Sequence, residues 1–237
     1  MIILGYDGLE ITKVDAWNLE NIKQRAYGKT DISMLEEPRT VVIWSSFLTG
    51  RNTEAEVKAK SPSLKESLWT FKLQESDTFL SDFGKTKAID VPSLTYMDDH
   101  RLERDAMAGI FDKTATIEDY DRIAFENHRK VKEEFMAALE EDWDLLFGYF
   151  GVADVVGHMS FGIDLKMKLI YKQLDDIAKT VVKKKPDEPI LIISDHGMYA
   201  EGRFGDHTRY GFWSLNRQVD WNEPKIYSFR NMIKTVR

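Results

Sequence analysis

Apolar residues in this chain gather in short runs, separated by stretches in which they recur every three or four positions. Ile2 to Tyr6 is one such run; it ends at Asp7-Gly8 and reads as a buried strand that stops in a loop. Leu145 to Phe150 and Pro189 to Ser194 are two more, and Ala88 to Pro92 is a shorter one leaving the core. Between them the period changes. Ala16 to Ala26 carries Trp17, Leu19, Ile22 and Ala26 at helical spacing, and Pro62 to Phe71 carries Leu64, Leu68 and Phe71. Thr40 to Leu48 is apolar and small, and stops at Thr49-Gly50. Within the charged middle, Asp98 to Glu141, the part from Ile117 onward is helix-like, with Ile123, Phe135 and Leu139 among its apolar positions. Leu165 to Val182 is an amphipathic helix with Leu169, Leu174, Ile177 and Val181 on its apolar face. Lys183-Lys184-Lys185-Pro186 closes it, since lysines suit a helix C-terminus and proline cannot continue the helix. Ser228 to Arg237 reads as a closing helix.

Strands alternating with helices predict a three-layer α/β/α fold, a mostly parallel central sheet with helices on both faces. With 237 residues, 43% of them hydrophobic, the chain can build one substantial core, and we read residues 1–237 as one domain. Lys58 to Ser63 is the most loop-like stretch and is taken as a surface loop.

Charge and composition narrow the chemistry. A formal net charge of −7 argues against a nucleic-acid or membrane-surface binder, because phosphate backbones attract basic faces. No apolar stretch approaches the roughly 20 residues that span a bilayer. The opening apolar run is too short for a signal peptide and has no basic leader, so a cytoplasmic location is expected. The absence of cysteine excludes disulfides, thiolate metal sites and cysteine nucleophiles.

In parallel sheets, ligands bind beyond the carboxyl ends of the strands. The first strand ends at Asp7, the one through Phe150 is followed by Asp154 and His158, and the one through Ile193 ends at Asp195-His196. Asp206-His207 follows after a glycine-containing loop, so three of the five histidines fall in this set. Asp154 and His158 are four residues apart, which on a helix puts both side chains on one face within reach of one cation. Imidazole and carboxylate are the ligands that zinc and manganese accept without thiolate. Each feature also has an ordinary reading. Asp7 alone is a turn or cap residue, Asp154 with His158 a solvated helix face, and His207 a surface histidine.

Taken together, five segments resemble the alkaline phosphatase superfamily in its type I phosphodiesterase/nucleotide pyrophosphatase branch. They are Ile3-Leu4-Gly5-Tyr6-Asp7-Gly8; Pro38-Arg39-Thr40 with Trp44 to Gly50; Asp154-Val155-Val156-Gly157-His158; Ser194-Asp195-His196-Gly197-Met198; and His207 to Trp213. The resemblance implies an alkaline-phosphatase-like catalytic domain with two divalent cations, zinc or alternatively manganese. Asp7, Thr40, Asp195 and His196 would hold one cation, and Asp154, His158 and His207 the other. It implies that Thr40, ten residues before Gly50, is the nucleophile in the hydrolysis of a small phosphodiester or pyrophosphate. Thr40 also reads as a helix N-cap, a role compatible with the first. Phosphomonoester hydrolysis on the same ligands, and a catalytically idle protein that binds metal and a phosphorylated ligand, are the alternatives.

The chain departs from the family in three places. Val41-Val42-Ile43 follows Thr40 where relatives carry Phe-Pro-Asn, and Asn52 is the only asparagine between Arg51 and Ser63, where relatives have a phosphoryl-binding one. Arg39, Arg51 and Arg209 are therefore candidates to neutralise the phosphoryl group, each with an ordinary reading as a surface arginine. Trp44 and Trp213 are candidates for a leaving-group wall or for plain core. Residues 97–142 stand where relatives carry a larger insertion, which implies a reduced cap and an open site.

Overall fold

The computed structural model describes residues 1–37, 39–61 and 67–236. In chain order the elements are β1 (Ile2–Tyr6), α1 (Ile11–Ala16), α2 (Glu20–Lys23), β2 (Ala26–Asp31), α3 (Thr40–Thr49), α4 (Glu54–Lys60), α5 (Ser67–Thr70), β3 (Thr86–Ile89) and α6 (His100–Phe111). They continue with α7 (Ile117–Ala138), β4 (Leu145–Phe150), α8 (Val152–Ser160), α9 (Asp164–Lys184), β5 (Ile190–Ser194), β6 (Met198–Glu201), β7 (Phe204–His207), β8 (Tyr210–Leu215) and α10 (Phe229–Val236).

Six strands form one sheet in the order β2-β8-β5-β1-β4-β3. The run β5-β1-β4-β3 is parallel and β8 is antiparallel to both its neighbours, so the sheet is mostly parallel, as expected. Strands covered on both faces read as nearly continuous apolar runs, and that is why β1, β4 and β5 stand out in the sequence. Their residues alternate between two cores. Ile2, Leu4 and Tyr6 join the cluster built with α7, α8 and α9, whereas Ile3 joins the one built with α3 and α10. The three layers of the predicted architecture are these two helical layers and the sheet. Among the described residues no helix is long and apolar enough to cross a membrane.

Some expectations fail for local reasons. The helix expected from Ala16 to Ala26 is instead α1, α2 and the start of β2. Asn18 (φ 50°) and Gln24 (φ 54°) adopt left-handed backbone conformations that interrupt it. The Lys58–Lys60 part of the expected loop is the last turn of α4. The helix expected over Pro62 to Phe71 lies partly outside the described residues; α5 covers Ser67–Thr70. Leu169 is 60% exposed rather than on the buried face of α9. Within residues 97–142, α7 packs its apolar face into the sheet core, and α6 lies beyond it.

α3 shows how tightly the second core is packed. Phe47 is fully buried and meets Trp44, Phe79 and Phe147 edge-on, with ring centroids 5.8, 5.2 and 6.0 Å away. Gly50 ends the helix in the left-handed conformation (φ 73°) that glycine adopts without cost. Phe47→Ala should cost about 3–5 kcal/mol in urea-denaturation stability. A loss below about 1 kcal/mol would contradict this packing, because the site would then have collapsed onto the cavity.

Candidate metal centre

β5, β1 and β4 are neighbours in the sheet, so their carboxyl ends deliver three groups of residues to one place. Asp7 follows β1 directly, and its backbone N–H donates to the Phe150 carbonyl at 3.2 Å. Gly8 (φ 71°) lets that loop touch the start of α8, since a Cβ there would lie 2.8 Å from Asp154 Cα. Asp154 and His158 lie one turn apart on α8, with Oδ2 and Nε2 separated by 3.3 Å. At the end of β5, Ser194 Oγ accepts from the Leu9 N–H (3.0 Å) and donates to the His196 carbonyl (2.7 Å), shaping the turn that carries Asp195 and His196. Thr208 ties the β6–β7 hairpin to that turn. Its Oγ1 accepts from the Gly197 N–H (2.9 Å), and its own N–H donates to the Gly197 carbonyl (3.0 Å). His207 is thereby stacked on His196, ring centroids 3.6 Å apart and planes 19° from parallel.

Two trios result. The donor atoms of Asp7, Asp195 and His196 lie within 4.8 Å of one another, as do those of Asp154, His158 and His207. His196 Nε2 is 3.4 Å from Asp7 Oδ1, 3.4 Å from Asp195 Oδ2 and 3.8 Å from Asp154 Oδ1. His207 Nε2 is 3.2 Å from Asp154 Oδ1 and 3.4 Å from His158 Nε2. Asp7 Oδ1, Asp154 Oδ1, Asp195 Oδ2 and His196 Nε2 are buried without a hydrogen-bond partner. Buried polar atoms of this kind are costly unless something binds them, and a set of carboxylate and imidazole donors fits a divalent cation.

The protonation states carry the same strain. Burial, and then the charge of Asp154, push the Asp7 carboxyl up to about 7. Burial, with Asp7 and Asp154, pushes Asp195 well above the carboxylate range. Burial also favours the neutral form of Asp154, but His158 and His207 outweigh it and hold that carboxyl well below its ordinary value. Asp154 in return raises His158 to about 9. His196 is pushed down to about 3 by burial and by the neighbouring His207, so it is a neutral imidazole. Its Nδ1 lies 3.1 Å from the Gly197 carbonyl, which fixes the ring with Nε2 as the free acceptor.

Thr40 is the first residue of α3, and Arg39 occupies the cap position without a side-chain capping bond. The N-cap reading of Thr40 is therefore not met: the helix begins one residue earlier than that reading requires, and among the described residues the Thr40 hydroxyl makes no hydrogen bond. Thr40 lines a cavity of about 770 Å³ together with Asp154, His158 and Tyr149. His207 lies on a shallower cleft of about 610 Å³ with Arg39 and Arg209.

The arginines nominated for the phosphoryl group are engaged elsewhere. Arg39 pairs with Glu37, Arg51 with Glu56 at 2.7 Å, and Arg209 donates to the Leu35 and Glu36 carbonyls at 3.3 Å. Asn52 Oδ1 accepts from the Glu54 N–H at 2.9 Å at the start of α4. Trp44 and Trp213 are core residues, at 1% and 2% exposure. Sequence reasoning missed Tyr149, whose hydroxyl donates to Asp7 Oδ2 and orients it. The available signal was a lone polar hydroxyl in the last positions of an apolar strand. It also missed a buried cluster beside the cavity. His100 Nε2 lies 2.7 Å from Asp90 Oδ2, its Nδ1 lies 2.8 Å from Glu103 Oε2, and Asn127 donates to Glu103 Oε1 at 2.9 Å. Tyr96 stacks on His100 (4.4 Å) and meets Tyr149 edge-on (5.9 Å), which links this cluster to Asp7.

No family model matches the chain, and no curated protein matches it. Among solved structures it is similar to murine ectonucleotide pyrophosphatase/phosphodiesterase 5, at 13% identity and a TM-score of 0.49, covering 84% of this chain and 57% of that one. The human protein of the same name gives 13% identity, a TM-score of 0.48 and the same coverage. Ps i-CgsB, solved in complex with k-i-k-neocarrahexaose, gives 11% identity and a TM-score of 0.47 over 100% of this chain and 72% of that one. The chain thus spans 57% of the length of the two phosphodiesterase chains.

The His100 cluster predicts a pH dependence. Burial alone would lower the imidazole pKa, but the hydrogen bonds to Asp90 and Glu103 outweigh it and raise it to about 10, above the roughly 6.5 of an unfolded histidine. A raised folded-state pKa stabilises the protein fully below the unfolded value, and that stability is lost as pH rises through the folded value. Burial raises Asp90, which reduces the net gain. His100→Gln should cost about 3–5 kcal/mol at pH 6, because it leaves buried carboxylates uncompensated. The gap from the native protein should narrow as pH approaches 10. Denaturation curves across that range check it, and a gap independent of pH would rule out the charged imidazole.

Proposed function

We propose that this chain is a metal-dependent phosphoric ester hydrolase, acting on small phosphodiesters or pyrophosphates with Thr40 as nucleophile and two divalent cations, zinc or manganese. The observation that carries this reading is the pair of adjacent donor trios with four buried, unpartnered donor atoms, on a site that also presents an unengaged threonine hydroxyl. The motif resemblance assigns the same residues. Asp7, Asp195 and His196, with Thr40, would hold one cation, and Asp154, His158 and His207 the other. The cations supply charge: they lower the pKa of a hydroxyl held against them and neutralise the phosphoryl and leaving oxygens.

The chain's own groups supply the rest. Tyr149 orients Asp7 by donating to it, and the Gly197 carbonyl fixes the His196 tautomer. Thr40 sits at the N-terminus of a ten-residue helix, where free backbone N–H groups and the helix dipole favour an incoming phosphoryl group. Its Oγ1 forms a bond to phosphorus as the bond from phosphorus to the leaving oxygen breaks. The leaving oxygen keeps the electron pair and takes a proton. Water then attacks the phosphothreonine, the Oγ1–P bond breaks, and Thr40 regains its proton as the phosphorylated product departs.

Zinc at about a hundredfold excess over its dissociation constant should raise the melting temperature of metal-free protein by about 5–10 °C. No shift with zinc or manganese would remove the metal site and this function with it. With metal-loaded protein, turnover of bis(p-nitrophenyl) phosphate should exceed that of p-nitrophenyl phosphate. Thr40→Ala should lower it at least about a thousandfold while keeping the zinc-induced shift. Unchanged activity in that variant would reject the nucleophile, a reversed ratio would assign the site to monoesters, and no turnover on either would favour a binding protein.

A further inference from the structure

The cavity in front of Thr40 is lined by an exposed cation that has no carboxylate partner among the described residues. Arg104, on α6, lines that cavity together with Thr40, Asp154 and His158. Its guanidinium lies over the Trp69 ring, 5.3 Å from the centroid, beside that of Arg101 at 4.3 Å. Arg101 is held by Asp98 at 3.6 Å. Among the described residues, no carboxylate lies within ion-pair distance of Arg104, and it donates no hydrogen bond. Glu103, its neighbour on the helix, is committed to His100 and Asn127. Asp105 and Asp112 also line the cavity but stand beyond ion-pair distance. The charge of Arg104 is felt at the buried hydroxyls of Tyr96 and Tyr120, on two other walls.

A guanidinium with one face on an indole keeps its in-plane N–H donors available, and their fork matches a carboxylate or a phosphoryl group. Arg104 is itself exposed, but the support beneath it is buried: Trp69 is 9% exposed, and the buried His100 cluster ties α6 to Asp90. We propose that Arg104, seated on Trp69, receives a second oxyanion of the substrate. The chain then acts on phosphoesters whose organic part carries a phosphoryl group or a carboxylate away from the phosphorus attacked by Thr40. This rests on the phosphoesterase reading and narrows its substrate class.

Calorimetric titration of the zinc-loaded protein with alkyl phosphonates tests it without requiring turnover. The series varies chain length, and each length ends in a methyl group, a carboxylate or a second phosphonate. At one chain length or more, a charge-ended member should bind about tenfold or more tightly than its methyl-ended partner, a difference of about 1.4 kcal/mol. The end group that gains more identifies the second oxyanion. Arg104→Gln should erase the difference, and Arg104→Lys should keep part of it, since lysine retains the charge without the fork. Equal binding of methyl-ended and charge-ended members at every length overturns the proposal, as does a preference that survives Arg104→Gln. If no phosphonate binds at all, the phosphoesterase reading itself fails and takes this one with it.

Discussion

Asp7, Asp154 and Asp195 cannot move apart, and much of the structure follows from that. Asp7 and Asp195 follow strands whose register is fixed by neighbours on both sides, Tyr6 against Phe150 and Gly5 against Ile193, and Asp154 lies in the first turn of α8, just after β4. Two like charges about 4 Å apart repel by on the order of 4 kcal/mol at the effective dielectric of a protein site. The chain relieves this only in part. His158 and His207 balance Asp154, while Asp7 and Asp195 are pushed toward their protonated forms and His196 stays neutral. A cation is the species that would satisfy all of these donors at once, and the tyrosine and backbone contacts behind them orient the donors in advance of its arrival.

Such crowding requires a stiff scaffold. The sheet provides it because both its faces are buried, Leu146 and Phe150 on one side and Leu145, Phe147 and Tyr149 on the other. The alternation continues to the strand end. It puts the Tyr149 hydroxyl beside Asp7, on the face covered by α3, and Thr40 begins that helix. Strand periodicity thus decides which side of the sheet carries the nucleophile candidate and which side, through α8, carries Asp154 and His158.

The parts legible in the sequence are those in which one physical signal dominates. β1, β4 and β5 are continuous apolar runs because both faces are covered, and the carboxylate or histidine just beyond each points to the candidate site. α8 is legible through the spacing of Asp154 and His158. β6 and β7 are not: Tyr199, Ala200, Phe204 and Asp206 are exposed, so no alternation betrays a hairpin, and His207 alone reads as a surface residue. β2 is masked in the same way by Tyr27 and Lys29 on its outer face. α6 disappears into the charged middle because the residues that bury its inner face include His100 and Glu103, which are paired charges rather than apolar side chains.

The arginines show the limit of proximity in sequence as a guide to function. Arg39, Arg51 and Arg209 stand beside the motifs, but each has an acidic or carbonyl partner within reach of its own loop or of the loop facing it. Local partners capture local cations, so a cation adjacent to a motif is often already occupied. Arg104 is separated from Thr40 along the chain and reaches the cavity only through the tertiary structure. Its position is set by His100, which joins α6 to Asp90 just beyond β3, in the same sheet that positions Asp7. The strand-end carboxylates and the helix that carries Arg104 are thus both placed by the same sheet. A ligand that spans the two, as proposed above, would be selected by its length as well as its charge.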